Sequence, residues 1–201
     1  MQVTRPYDTL RAKGEDRRAQ IVAAAQRLLT RNGWRSTTLA QIAQEVGMTT
    51  AGLLYHFPSK EQLLHAVLDA RDVDDDARSD RAGDLAEEIR KTAYRIERSP
   101  ELVGTFVVLL VENLMVDAPL HGRLLERWRT SVDIVAEAIR SQQCSGRYRA
   151  DIDPAVRAVE IVAFINRIEM SWLLDRSTPL REVFAEYSRS LERDLVADAV
   201  K

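Results

Sequence analysis

Apolar residues recur along the chain at three- and four-residue spacing, and no stretch sustains the alternation of a half-buried strand, so the pattern predicts an all-α protein of about nine helices. A first helix is expected from about Glu15 to Arg31, with Ile21, Ala24, Ala25, Leu28 and Leu29 as its apolar stripe and Asn32-Gly33 as a left-handed stop. Trp34 then packs under the helix end. Thr38 followed by Gln41 is a capping-box start for a second helix, whose inner face is Leu39, Ile42, Ala43 and Val46 and whose end is Gly47. A third, very short helix is capped by Thr49 or Thr50. It must stop before Pro58, which lacks an N–H and disfavours helical geometry at Phe57. Ser59 with Gln62 repeats the capping box and launches a fourth helix through Leu63, Leu64, Val67 and Leu68 into the acidic stretch Asp69 to Asp84.

Further along, Leu85 to Arg98 reads as an amphipathic helix and Glu101 to Val116 as a far more apolar one, followed by Leu120 to Gln143. Asp153-Pro154 pairs an N-cap with proline at the first helical position, opening a helix to about Asp175; Pro179 starts the last. There is no internal repeat and no low-complexity segment.

With 201 residues and 45% hydrophobic content the chain can bury a real core. The single cysteine, Cys144, excludes an intrachain disulfide framework, and no Cys/His cluster has zinc spacing. The first residues lack the apolar centre of a signal peptide, and the longest apolar stretch, Ala155 to Leu174, is interrupted by Arg157, Glu160, Arg167 and Glu169. A cytoplasmic protein with no membrane association is expected. The net charge of -2 hides an asymmetry: residues 1–60 hold nine Lys/Arg against four Asp/Glu, and residues 61–201 hold twenty against twenty-seven. A basic module that meets a polyanion, joined to an acidic body that does not, accounts for that split. Three segments follow: a flexible basic arm over 1–14, a basic module over 15–60, and an acidic body over 61–201.

The second helix, Gly47 and the third helix have helix-turn-helix spacing. If Leu53 and Phe57, one turn apart, face inward, then Thr50, Ala51, Leu54 and Tyr55 face outward, and a helix of that kind enters the major groove, about 12 Å wide. Thr49 and Thr50 suit phosphates or base edges, Leu54 a thymine methyl, Tyr55 and His56 the backbone. The helix starts at Thr38 and Ser59 present unpaired N–H groups to phosphate, and Lys60 follows the second.

The stretch "RRAQIVAAAQRLLTRNGWRSTTLAQIAQEVGMTTAGLLYHFPSKEQLL" (Arg17 to Leu64) resembles the tetracycline-repressor (TetR) family of transcriptional regulators, above all in "G-W-x-x-T-T-L-x-x-I-A", "E-V-G" and "H-F-P-S-K-E". The resemblance implies a three-helix DNA-binding head on a larger helical body, a homodimer on an inverted-repeat operator in double-stranded DNA, and a small-molecule effector that changes the separation of the heads. By position it implies DNA contacts from Thr38, Thr49, Thr50, Ala51, Tyr55, His56 and Lys60. Leu54 stands where many relatives carry tyrosine, and Gly52 where many carry Thr or Ala, so a phosphate contact common in the family is missing and the helix start is less rigid.

In the body, the helix after Pro154 is apolar nearly all round and the last helix has near-heptad spacing, which suits a two-fold four-helix interface through Val162, Ile165, Trp172, Phe184, Tyr187 and Leu191. Candidate effector contacts are polar residues stranded on apolar helices, Tyr94, Glu112, Asn113, Asn166 and Glu169, with the aromatics Phe106 and Trp128. Asp72, Asp76 and Asp80 lie one turn apart near His65 and Asp69, but intervening arginines make this a solvated helix surface, so no metal and no cofactor is expected. The competing class, a helical-bundle enzyme or a small-molecule-binding protein that does not bind DNA, would need a catalytic constellation for its enzyme form. No Glu-x-x-His pair, nucleophile motif or phosphate loop is present.

Overall fold

The computed structural model describes residues 6–78 and 84–197, with side chains over 14–70 and 84–197. Among the described residues the chain forms nine α-helices: α1 (Pro6–Ser36), α2 (Leu39–Glu45), α3 (Thr50–His56), α4 (Lys60–Arg78), α5 (Leu85–Arg98), α6 (Pro100–Glu112), α7 (His121–Cys144), α8 (Pro154–Leu174) and α9 (Leu180–Leu195). The start signals act as expected. Thr38 and Gln41 form a reciprocal capping box, and Asp153 accepts from the N–H groups of Ala155 and Val156 with Pro154 at the first helical position.

Two apolar clusters hold the molecule. The first joins α1 (Ile21, Ala24, Ala25, Leu29), α2 (Ile42, Ala43), Leu53, Phe57 and α4 (Leu63, Leu64, Val67, Leu68) to Phe106 and Leu109 of α6 and to Leu120 and Leu124. Each of the Ile, Val, Leu and Phe side chains contributes about 1.5–3 kcal/mol on burial, and because the cluster is continuous, the head is seated on α6. The second cluster is formed by α5, α7, α8 and α9 around Ile89, Ile96, Ile139, Ile161, Phe184 and Leu191.

Two expectations change. α1 begins at Pro6, so residues 6–14 of the expected arm are helical; residues 1–5, and the side chains of Asp72, Asp76 and Asp80, lie outside what is described. α6 ends at Glu112 rather than Val116, because Asn113 leaves helical geometry (φ -121°, ψ 28°). Its amide donates to the Leu109 carbonyl (2.8 Å), and its side-chain oxygen accepts from the Leu120 N–H (3.3 Å). Leu114, Met115 and Val116 are left exposed.

The expected dimer contacts lie in or against the core of the single chain. Val162, Trp172, Phe184 and Leu191 are 6%, 8%, 0% and 3% exposed within one chain, and Ile165 and Tyr187 are half-buried against the same core. The near-heptad face of α9 packs inward, Phe184 and Tyr187 onto Phe164 of α8 (ring centroids 5.5 and 3.6 Å) and Ser188 onto the Ala86 carbonyl of α5 (2.8 Å). Its outer face carries Arg181, Glu182, Glu186, Arg189 and Arg193. On α8, Val156, Val159, Ala163, Met170 and Leu174 face solvent, as do Trp128 and Ile134 on α7.

Candidate nucleic-acid interface

α2 closes at Gly47, whose φ of 65° is the left-handed geometry glycine adopts without strain, while the Met48 N–H reaches back to the Ala43 carbonyl (2.9 Å). Thr49 then caps α3, its hydroxyl accepting from the Gly52 N–H at 3.0 Å. A Cβ at position 52 would stand 3.3 Å from that hydroxyl, so the small residue leaves the cap undisturbed. Leu53 and Phe57 are 0% and 1% exposed and anchor one side of this seven-residue helix. The opposite side presents Thr50, Ala51, Leu54 and Tyr55 to solvent, with Tyr55 87% exposed.

The flanks are braced from α1. Arg18 donates to the His56 carbonyl at the end of α3 and lays its guanidinium 4.1 Å from the Phe57 ring centroid, a cation placed where the helix dipole favours one. Arg27 pairs with Glu45 of α2 at 3.1 Å. Neither brace has a local sequence signature, since the partners are 38 and 18 residues apart.

The other expected contacts divide. His56 is half-buried, edge-on to Tyr55 (ring centroids 5.4 Å). Thr38 is exposed, but its hydroxyl accepts from the Gln41 N–H (3.2 Å) and lies 3.0 Å from Gln41 Oε1, so it serves the cap first. Lys60 turns inward: its ammonium donates to the Trp34 carbonyl at 2.5 Å and lies 4.0 Å from that ring's centroid. Burial pushes the Lys60 pKa down, with the nearby Glu112 and Glu61 carboxylates opposing in part.

The candidate effector residues are spread over α5, α6 and its C-cap, α7 and α8. Tyr94 is 51% exposed under the Arg181 guanidinium, and Trp128 is 37% exposed. Glu112 accepts from the Trp34 N–H at 2.7 Å, and Asn113 ends α6, so both act in the fold. Phe106 and Glu169 are 8% and 1% exposed and Asn166 is half-buried; they lie on α6 and α8, which approach closely where Gly104 leaves room beside Leu173. Asp69 pairs with Arg123 at 3.1 Å.

The family model described as "Bacterial regulatory proteins, tetR family" matches residues 21–67, which span α2, α3 and the buried faces of α1 and α4. The chain is similar to the HTH-type transcriptional regulator TtgR of Pseudomonas putida, 40% identical over 58 residues, 29% of this chain and 28% of TtgR. That match therefore covers little over a quarter of the length of TtgR. The HTH-type transcriptional regulator LmrA of Bacillus subtilis is 28% identical over 178 residues, 84% of this chain and 93% of LmrA. Among solved structures, the SmeT–triclosan complex shares the fold at a TM-score of 0.74 and 19% identity, over 92% of this chain and 93% of that one.

Proposed function

We propose, for a chain that belongs to the tetR family of bacterial regulatory proteins, a ligand-responsive transcriptional regulator: a repressor that binds a palindromic operator as a homodimer and is released by a small-molecule effector. The observation that carries this is the contrast on α3, where two fully buried anchors hold Thr50, Ala51, Leu54 and Tyr55 outward on a helix too short to be a structural strut. A helix so mounted reads base edges, with Thr49 and the N-termini of α2 and α4 beside it for phosphate.

The second copy fits the outward stripe of α8, in which Val156, Val159, Ala163, Met170 and Leu174 follow helical spacing. Two heads on that two-fold axis read half-sites about 34 Å apart. The effector fits between α6 and α8, where Phe106 supplies an apolar wall and Asn166 and Glu169 the polar groups. SmeT, which shares the fold, has been solved as a complex with triclosan, in keeping with a small organic ligand. An effector that favours the DNA-incompetent arrangement by about 2–3 kcal/mol weakens operator binding roughly 30- to 150-fold.

Selection of bound duplexes from a random pool tests the reading. An inverted repeat should be recovered, and it should outcompete scrambled duplex; recovery of unrelated sequences would refute it.

A further inference from the structure

The peptide backbone at Trp34 is held from two sides. Its N–H donates to Glu112 Oε2 at 2.7 Å, and its carbonyl accepts from Lys60 Nζ at 2.5 Å. Glu112 is the last residue of α6 in the body, Lys60 the first residue of α4, and Trp34 lies at the end of α1. Gly33, just before, breaks α1 with φ 75° and ψ 168°, and a Cβ there would stand 2.9 Å from Glu112 Oε1. Glycine at this position thus serves both the turn and the approach of the carboxylate. From the turn the chain passes directly to α2: Thr37 donates to the Gly33 carbonyl at 2.8 Å, and Thr38 is the α2 N-cap.

We infer that Glu112 is a positioning residue for DNA binding, fixing the angle of the helix-turn-helix head on the body through the Trp34 peptide. This rests on the regulator reading above. A carboxylate accepting a backbone N–H makes a charge-assisted bond, stronger than a neutral one. The body therefore grips the head at the turn that sets the direction of α2, while Lys60 fastens the start of α4 to the next peptide group, through the carbonyl of the same residue. A dimer engages its second half-site at high effective concentration only while its heads keep their spacing. A movement of the α6 C-terminus reaches both head helices here, although Glu112 is distant in sequence from the side chains that face DNA.

The test measures binding of a labelled duplex, recovered by the wild-type protein from a random pool, over a range of salt concentrations, together with amide exchange at Trp34. Glu112→Ala should bind about tenfold more weakly, with faster exchange at Trp34. The slope of log affinity against log salt should be unchanged, because no phosphate contact is lost. Glu112→Gln, whose amide oxygen still accepts from the Trp34 N–H, should recover most of the affinity. Unchanged affinity in Glu112→Ala, a flattened slope, or a Gln variant as weak as the Ala variant each overturns the inference. If circular dichroism shows Glu112→Ala unfolded, Lys60→Met decides the matter: it frees the backbone of the same residue at its carbonyl, so weaker binding at constant slope supports the inference and any other result overturns it. A wild-type protein that recovers no duplex removes the regulator reading itself, and this inference with it, which is a different outcome from any variant result.

Discussion

Tyr55 stands 87% exposed beside Leu53 and Phe57, which are 0% and 1% exposed, and that contrast separates binding from stability at single positions. Tyr55→Ala should leave the unfolding free energy within about 0.5 kcal/mol of the parent while weakening duplex binding, as read by denaturation and by anisotropy. Leu53→Ala should do the opposite first, costing about 2–5 kcal/mol of head stability through the cavity it leaves. These roles are legible in the sequence because their causes are local: one turn separates Leu53 from Phe57, and three residues separate Thr38 from Gln41. Arg18, Lys60 and Glu112 are not legible in their present roles. Their partners lie 38, 26 and 78 residues away, and nothing in a single sequence pairs them. A place just after a helix cap suggests a phosphate contact for Lys60; in the structure its ammonium lies against the Trp34 ring and carbonyl.

At the scale of elements, periodicity announces that a helix face is buried but not which helix covers it. The face of α9 with Phe184 and Leu191 is therefore legible as buried, and within the chain it packs on α5 and α8. Phe184→Asp should consequently unfold the body, whereas Met170→Asp, on the outward stripe of α8, should keep full helicity by circular dichroism and sediment as a monomer. The α5 start offers a pH test. Asp84 caps that helix through Ala86 and Glu87 and pairs with Arg147 of the α7–α8 connection. Burial, the largest influence, pushes the Asp84 pKa up, but the Arg147 hydrogen bond and charge and the two backbone N–H groups outweigh it and hold the carboxyl below its ordinary 3.8. A carboxyl depressed on folding stabilises fully above its unfolded pKa, and that contribution is lost as pH falls through the lower folded value. The melting-temperature gap between the parent and Arg147→Met should thus be constant near neutral pH and shrink below about pH 4.

In the whole molecule, one apolar cluster runs from the head helices into α6, while a second holds α5, α7, α8 and α9. The division of charge between residues 1–60 and 61–201 matches this arrangement, since the basic part presents α3 and the acidic part carries the helices proposed for pairing and effector binding. The account stands on the claim that the outward residues of α3 meet bases when two copies are paired, and competition binding at moderate ionic strength tests it most directly. The protein should prefer its selected inverted-repeat duplex to scrambled competitor by about a thousandfold or more, and Thr50→Ala with Tyr55→Ala should abolish most of that preference. Equal binding to selected and scrambled duplex by the dimeric protein would contradict it.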